Sequence, residues 1–83
     1  MKKIKIFWQP ECPKCPKAKE LGEMLRSEGY DVELFNTKEM DGLAESVYYD
    51  VLSTPSVVVI DEKGTKASWM GEVPAANAIK DLV

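Results

Sequence analysis

Cys12 and Cys15 are the only thiols in the chain, and two residues separate them in Cys12-Pro13-Lys14-Cys15. Sulfurs at that spacing can close a disulfide and reopen it by exchange through a mixed disulfide. A short apolar segment, Ile4-Lys5-Ile6-Phe7-Trp8, lies just upstream, and a helical pattern begins just downstream. A thiol at a strand-to-helix junction meets backbone N–H groups and the positive end of the helix dipole, which favour its thiolate. Pro13, Lys14 and Lys17 are the neighbours expected to support that thiolate, while Glu11 opposes it. The chain therefore reads first as a dithiol–disulfide redox protein.

The elements that must position these sulfurs follow from periodicity. Ile4, Ile6 and Trp8 alternate with Lys5 and Phe7, as in a short buried strand, and Gln9-Pro10-Glu11 is a loop. A first helix is expected from about Pro13 to Ser27, with Cys12 as its N-cap, Ala18, Leu21, Met24 and Leu25 inward, and Gly29 as its stop. In that register Pro16 lacks the N–H that would bond the Cys12 carbonyl, so the first turn should be loose or kinked. Asp31 to Asn36 alternates as a second strand, and Met40, Leu43, Ala44, Val47 and Tyr48 follow helical spacing, with Gly42 weakening the early part. Ser53-Thr54-Pro55 breaks the chain before the β-branched run Val57 to Ile60, which suits a strand covered on both faces. Asp61 to Gly64 turns a hairpin into a strand from Thr65 to Met70, and Gly71 ends it. Pro74 opens a last helix with Ala75, Ala76, Ile79, Leu82 and Val83 inward. The order β-α-β-α-β-β-α implies an α/β domain: a four-stranded mixed sheet with three helices on its two faces.

Composition narrows the chemistry. Eighty-three residues, 45% apolar and 30% charged, make one globular domain. No apolar run approaches the roughly 20 residues of a membrane span. No apolar segment with a cleavage site follows the basic start, so a cytoplasmic protein is expected. In a reducing compartment a lone cysteine pair is catalytic or metal-binding more often than a permanent staple, and so short a disulfide loop removes little chain entropy. The net charge of −3 is unevenly spread: residues 1–19 carry six lysines against Glu11 alone, and the remainder is acidic. An acidic chain without a basic, aromatic-interleaved stripe gives nucleic-acid binding no support. Tetrahedral zinc takes four ligands, and with no histidine and no third cysteine the chain alone cannot complete an all-thiolate or mixed thiolate–imidazole site. Two-coordinate Cu(I), a site shared between chains, or a glutathione-assisted iron–sulfur dimer are the metal alternatives.

The Cys-x-x-Cys after the first strand and the proline immediately before the third resemble the thioredoxin/glutaredoxin superfamily over essentially the whole chain. Cys12-Pro13-Lys14-Cys15 is similar to the Cys-Pro-x-Cys of dithiol glutaredoxins, whereas thioredoxins usually carry Cys-Gly-Pro-Cys. The small size, without an extra N-terminal strand and helix, points the same way. Thr54-Pro55 resembles the family's Thr-Val-Pro or Thr-x-Pro element, in which the proline is cis and faces the active disulfide, although here no residue separates the two. Trp69-Met70-Gly71-Glu72-Val73-Pro74 has the Trp-x-Gly-x-x-Pro spacing of the glutaredoxin-like redoxins that serve ribonucleotide reductase, which thioredoxin reductase typically reduces. Two departures concern glutathione. Gly71-Glu72 stands where glutathione-binding relatives carry Gly-Gly followed by Asp, and Gln9-Pro10-Glu11 stands where they carry a lysine. Glu72 and Glu11 would both repel glutathione's carboxylates.

The resemblance implies a protein disulfide reductase in which Cys12 is the nucleophile and Cys15 the resolving thiol. Thr54, Pro55, Trp8 and Gly71 are the expected substrate-binding residues, with Thr54 backbone groups pairing with an extended substrate segment. Trp69 is a second aromatic candidate to flank the groove, while Tyr48 and Tyr49 read as packing residues. No bound cofactor is expected beyond the Cys12–Cys15 disulfide itself. The expected partners of this monomer are disulfide-bearing proteins and an electron donor, a thioredoxin-reductase-like flavoprotein before glutathione.

Overall fold

β-branched and aromatic residues alternating through two central strands dictate a sheet with two buried faces. In the computed structural model, which describes residues 2–83, the elements are β1 (Lys3–Trp8), α1 (Cys15–Ser27), β2 (Val32–Asn36), α2 (Met40–Tyr48), β3 (Ser56–Asp61), β4 (Gly64–Met70) and α3 (Ala76–Lys80). The element order is the expected one. The sheet runs β2-β1-β3-β4, with β1 parallel to β2 and antiparallel to β3, and β3 and β4 forming the hairpin. Ile6 lies opposite Leu34 on one side and Val57 on the other. Ile4, Ile6, Val57 and Val59 bury one face of the sheet under Ala18, Leu21 and Leu25 of α1 and Ile79 of α3. The opposite face gathers Phe7, Val51 and Val58 with Phe35 and Tyr49, and the Phe7 and Phe35 rings stack at 5.4 Å.

The start of α1 differs from expectation. Cys12 is not its N-cap: the helix begins at Cys15, with Lys14 at the cap position. Pro16 is the physical reason. It offers no N–H to the Cys12 carbonyl, so the Cys15 N–H takes that carbonyl at 3.2 Å in a tighter turn. Helical spacing begins only with Ala18 N–H donating to the Lys14 carbonyl at 3.4 Å. Met24 also departs from expectation, being 39% exposed, because the inward stripe of α1 runs through Ala18, Leu21, Gly22 and Leu25. At the other end, Pro74 is buried but precedes the helix. Ala75 is an extended, exposed cap, and α3 begins at Ala76.

Helix α2 sits with its apolar residues outward. Gly42 and Ser46 are its buried positions, while Met40, Val47 and Tyr48 are 86%, 69% and 76% exposed. Gly42 sets that rotation: a Cβ there would lie 2.0 Å from the Asn36 carbonyl oxygen. Of the two tyrosines read as packing residues, only Tyr49 packs against the core.

Under α2, the Lys5 ammonium donates to Glu45 Oε1 at 2.5 Å and lies 5.0 Å from the centroid of the Tyr49 ring. Burial alone would lower its pKa. The hydrogen bond and charge of Glu45, helped by Tyr49, outweigh that and hold the group above its ordinary 10.5. A raised folded-state pKa gives stability that is complete below about 10.5 and lost as pH climbs through the raised value. Urea unfolding of the wild type and of Lys5→Met should accordingly differ most at neutral pH and converge in strongly alkaline solution.

Candidate active site

Cys12 and Cys15 form a disulfide with their Cα atoms 5.3 Å apart. Their surroundings differ sharply. Cys15 sits in the first turn of α1 and is 1% exposed, whereas Cys12, in the turn before the helix, is half-buried. Glu11 delivers the chain to Cys12 with a φ of 64°, a left-handed conformation uncommon outside glycine. Of the two sulfurs, Cys12 is the one an incoming disulfide can approach.

Two depressions meet at Cys12. One, of about 250 Å³, is lined by Cys12, Pro13, Lys14, Thr54, Pro55 and Gly71. The Thr54–Pro55 peptide bond is cis. The other, of about 410 Å³, includes Trp8, Pro10, Cys12, Cys15, Lys19 and Glu20. The fold therefore gathers Thr54, Pro55, Gly71, Pro13 and Lys14 around one depression at Cys12, and sets Trp8 in the other. Lys17 is exposed and lines neither depression. Trp69 packs against the core beneath α1 and α3 and lines neither depression.

Two residues that sequence reasoning passed over shape the site. The Lys19 ammonium stands 3.9 Å over the Trp8 ring, a cation–π contact that orders one wall. Ser56, fully buried directly after Pro55, donates its hydroxyl to the Ser53 carbonyl at 2.6 Å and accepts the Gly71 N–H at 3.2 Å. One hydroxyl thus ties the loop carrying Thr54-Pro55 to the turn carrying Gly71. Gly71 has a φ of 74°, and a Cβ there would meet Ser53 Oγ at 3.2 Å, so the turn calls for glycine. A serine following the loop proline was the available signal for Ser56. Ser56→Ala leaves the Gly71 N–H without its partner and should lower stability by about 1–3 kcal/mol in urea unfolding, with Ser56→Thr recovering most of it.

Among the described residues, no group of three or more His, Cys, Asp or Glu side chains gathers where it could hold a metal ion. A metal at this site would rest on the two sulfurs or on ligands from another chain. No helix is long and apolar enough among the described residues to cross a membrane.

Comparison with known proteins agrees with this geometry. The family model described as Thioredoxin domain matches residues 2–83. A thioredoxin of Methanocaldococcus jannaschii is 33% identical over 58 residues, spanning 69% of this chain and 68% of that protein. Among solved structures, a point-mutant thioredoxin from Halobacterium salinarum NRC-1 aligns with a TM-score of 0.82, covering 99% of this chain and 71% of its own at 20% identity. The reduced Schistosoma mansoni thioredoxin pre-protein aligns at 0.77, covering 98% and 74% of the two chains at 12% identity. The two structures speak for the fold, while the family model reaches across the cysteine pair and the Thr54-Pro55 loop. With its sulfurs bonded where that fold brings strand, helix and proline loop together, the chain belongs to the thioredoxin domain family as a redox protein whose working pair is Cys12 and Cys15.

Proposed function

We propose that this protein is a glutaredoxin-like thiol–disulfide oxidoreductase that reduces disulfides in other proteins. The unequal burial of the two sulfurs carries the proposal. In the reduced protein the Cys12 thiolate attacks one sulfur of the partner's disulfide. A Cys12–partner bond forms, the partner's own S–S bond breaks, and the departing thiolate takes up a proton. Cys15, 1% exposed and beyond a bulky partner's reach, then attacks Cys12 Sγ. The internal disulfide closes, the partner leaves with two thiols, and two electrons have passed to it. Thr54 and Pro55 offer the backbone of one groove wall to an extended substrate segment, with Gly71 beside them. Lys14, on the same wall, favours the thiolate electrostatically.

The electron donor in this proposal is a thioredoxin-reductase-like flavoprotein, and the working setting is a reducing cytoplasm. Glu11 and Glu72 are both exposed near the site and disfavour a tripeptide carrying carboxylates. The test couples NADPH oxidation to insulin reduction, once through thioredoxin reductase and once through glutathione with glutathione reductase. Turnover should be at least about tenfold faster with the flavoprotein donor, a difference of roughly 1.4 kcal/mol in barrier. Equal or faster turnover through glutathione would overturn the donor assignment.

A further inference from the structure

Among the described residues seven large apolar side chains are markedly exposed, and five of them, Met40, Leu43, Val47, Tyr48 and Leu52, lie between residues 40 and 52. Met40, Leu43 and Val47 follow i, i+3, i+7 spacing, the period of a stripe that usually faces a core. Here the close approach of Gly42 to Asn36 turns it to solvent. Leu52, beyond the helix, is 94% exposed. Leu43 and Leu52 line a depression of about 290 Å³ that reaches Thr54, and Thr54 also lines the groove containing Cys12. Apolar surface gathered in one place beside a reactive sulfur marks an interaction face.

Its charges indicate what binds there. Glu39 and Asp41 bracket Met40, Asp50 follows the helix, and all three carboxylates are exposed, against Lys38 alone. Glu45 is already engaged by Lys5. A second copy docked through the same face would set these carboxylates against their own counterparts, a like-charge arrangement that disfavours self-association. We infer that the outward face of α2, continued through Leu52 to Thr54, docks the protein partner of the exchange reaction, and that this partner carries apolar side chains bordered by lysine or arginine beside its reactive cysteine. The inference rests on the exchange reaction proposed above and names its substrate class. Small disulfides, which reach Cys12 without covering α2, gain nothing from this face.

Two peptides of equal length test it, each carrying one cysteine as a mixed disulfide with thionitrobenzoate, whose release is read by absorbance. One has leucine and arginine flanks and the other serine and glutamate flanks, with dithiobis(nitrobenzoate) as the small disulfide. Reduced wild-type protein should attack the leucine–arginine peptide about tenfold faster than its counterpart, after both rates are divided by the small-disulfide rate. In a variant carrying Leu43→Ser and Leu52→Ser that preference should fall to near one. No preference in the wild type, or a preference that survives in the variant, overturns the docking face and leaves the exchange reaction standing. Failure of the reduced wild type to react with dithiobis(nitrobenzoate) would remove the exchange reaction and the docking face together.

Discussion

Cys12→Ser should reduce disulfide turnover by at least about a thousandfold, whereas Cys15→Ser should keep the first attack and stall on a covalent intermediate. The difference follows from burial. Cys12 stands half-buried where two depressions meet, so removing its sulfur removes the only approachable nucleophile. Cys15 is 1% exposed in the first turn of α1, so the proposed reaction leaves it one task, attack on the adjacent Cys12 sulfur. Without it the Cys12–partner bond persists until an external thiol resolves it. Non-reducing gels with a disulfide substrate check this directly. Cys15→Ser should accumulate a mixed-disulfide band that reductant removes, and Cys12→Ser should show none. A substrate adduct on Cys15 in the Cys12→Ser protein, at a rate near that of the wild type, would reverse the assignment.

Gly42→Ala should destabilise the protein by about 2–3 kcal/mol, although alanine is the better helix former by about 1 kcal/mol. The added Cβ would lie 2.0 Å from the carbonyl oxygen of Asn36 and 2.5 Å from its carbon. Both are backbone atoms, and that carbonyl already accepts the Glu39 N–H at 3.0 Å, so no flexible side-chain tip can give way. Helix α2 must move off β2, uncovering Ser46 and pulling Glu45 from Lys5. In thermal unfolding of a domain this size, the loss corresponds to a fall in Tm on the order of 10 °C. An alanine variant as stable as the wild type would mean that α2 does not rest on β2 through Gly42.

The order of the elements and the place of the cysteines were legible in the sequence, because alternation, helical spacing and turn residues act locally. Ile4, Ile6 and the run through Val57 to Ile60 could hardly be anything other than sheet. What depended on long-range contact was not legible. The spacing of Met40, Leu43 and Val47 marked a helix, but which face turned inward was decided by the approach of Gly42 to Asn36, a contact between separate elements. The N-cap expected at Cys12 moved to Lys14 because Pro16 cannot supply the N–H of the first full turn, a conflict the sequence already contained. Thr54, Pro55 and Gly71 were read from a resemblance to a known arrangement, and the fold sets all three around one depression with Cys12. Ser56, which joins their loops, was missed because one of its two partners, Gly71, lies 15 residues away along the chain. Lys19 was missed in the same way, being one of six lysines in the first 19 residues until the fold set it over Trp8.

The measurement that bears most directly on the central claim is a redox titration read by mass. The purified protein is equilibrated in glutathione buffers of graded ratio, free thiols are trapped, and the intact chain is weighed. Reversible exchange predicts two species, one with both cysteines trapped and one with the Cys12–Cys15 disulfide, passing into one another through a single midpoint approached equally from either side. That midpoint also separates a reductant from an oxidant. Cysteines that stay reduced across the whole range, or a chain that carries bound metal throughout, would contradict the account and make the pair a metal-binding site.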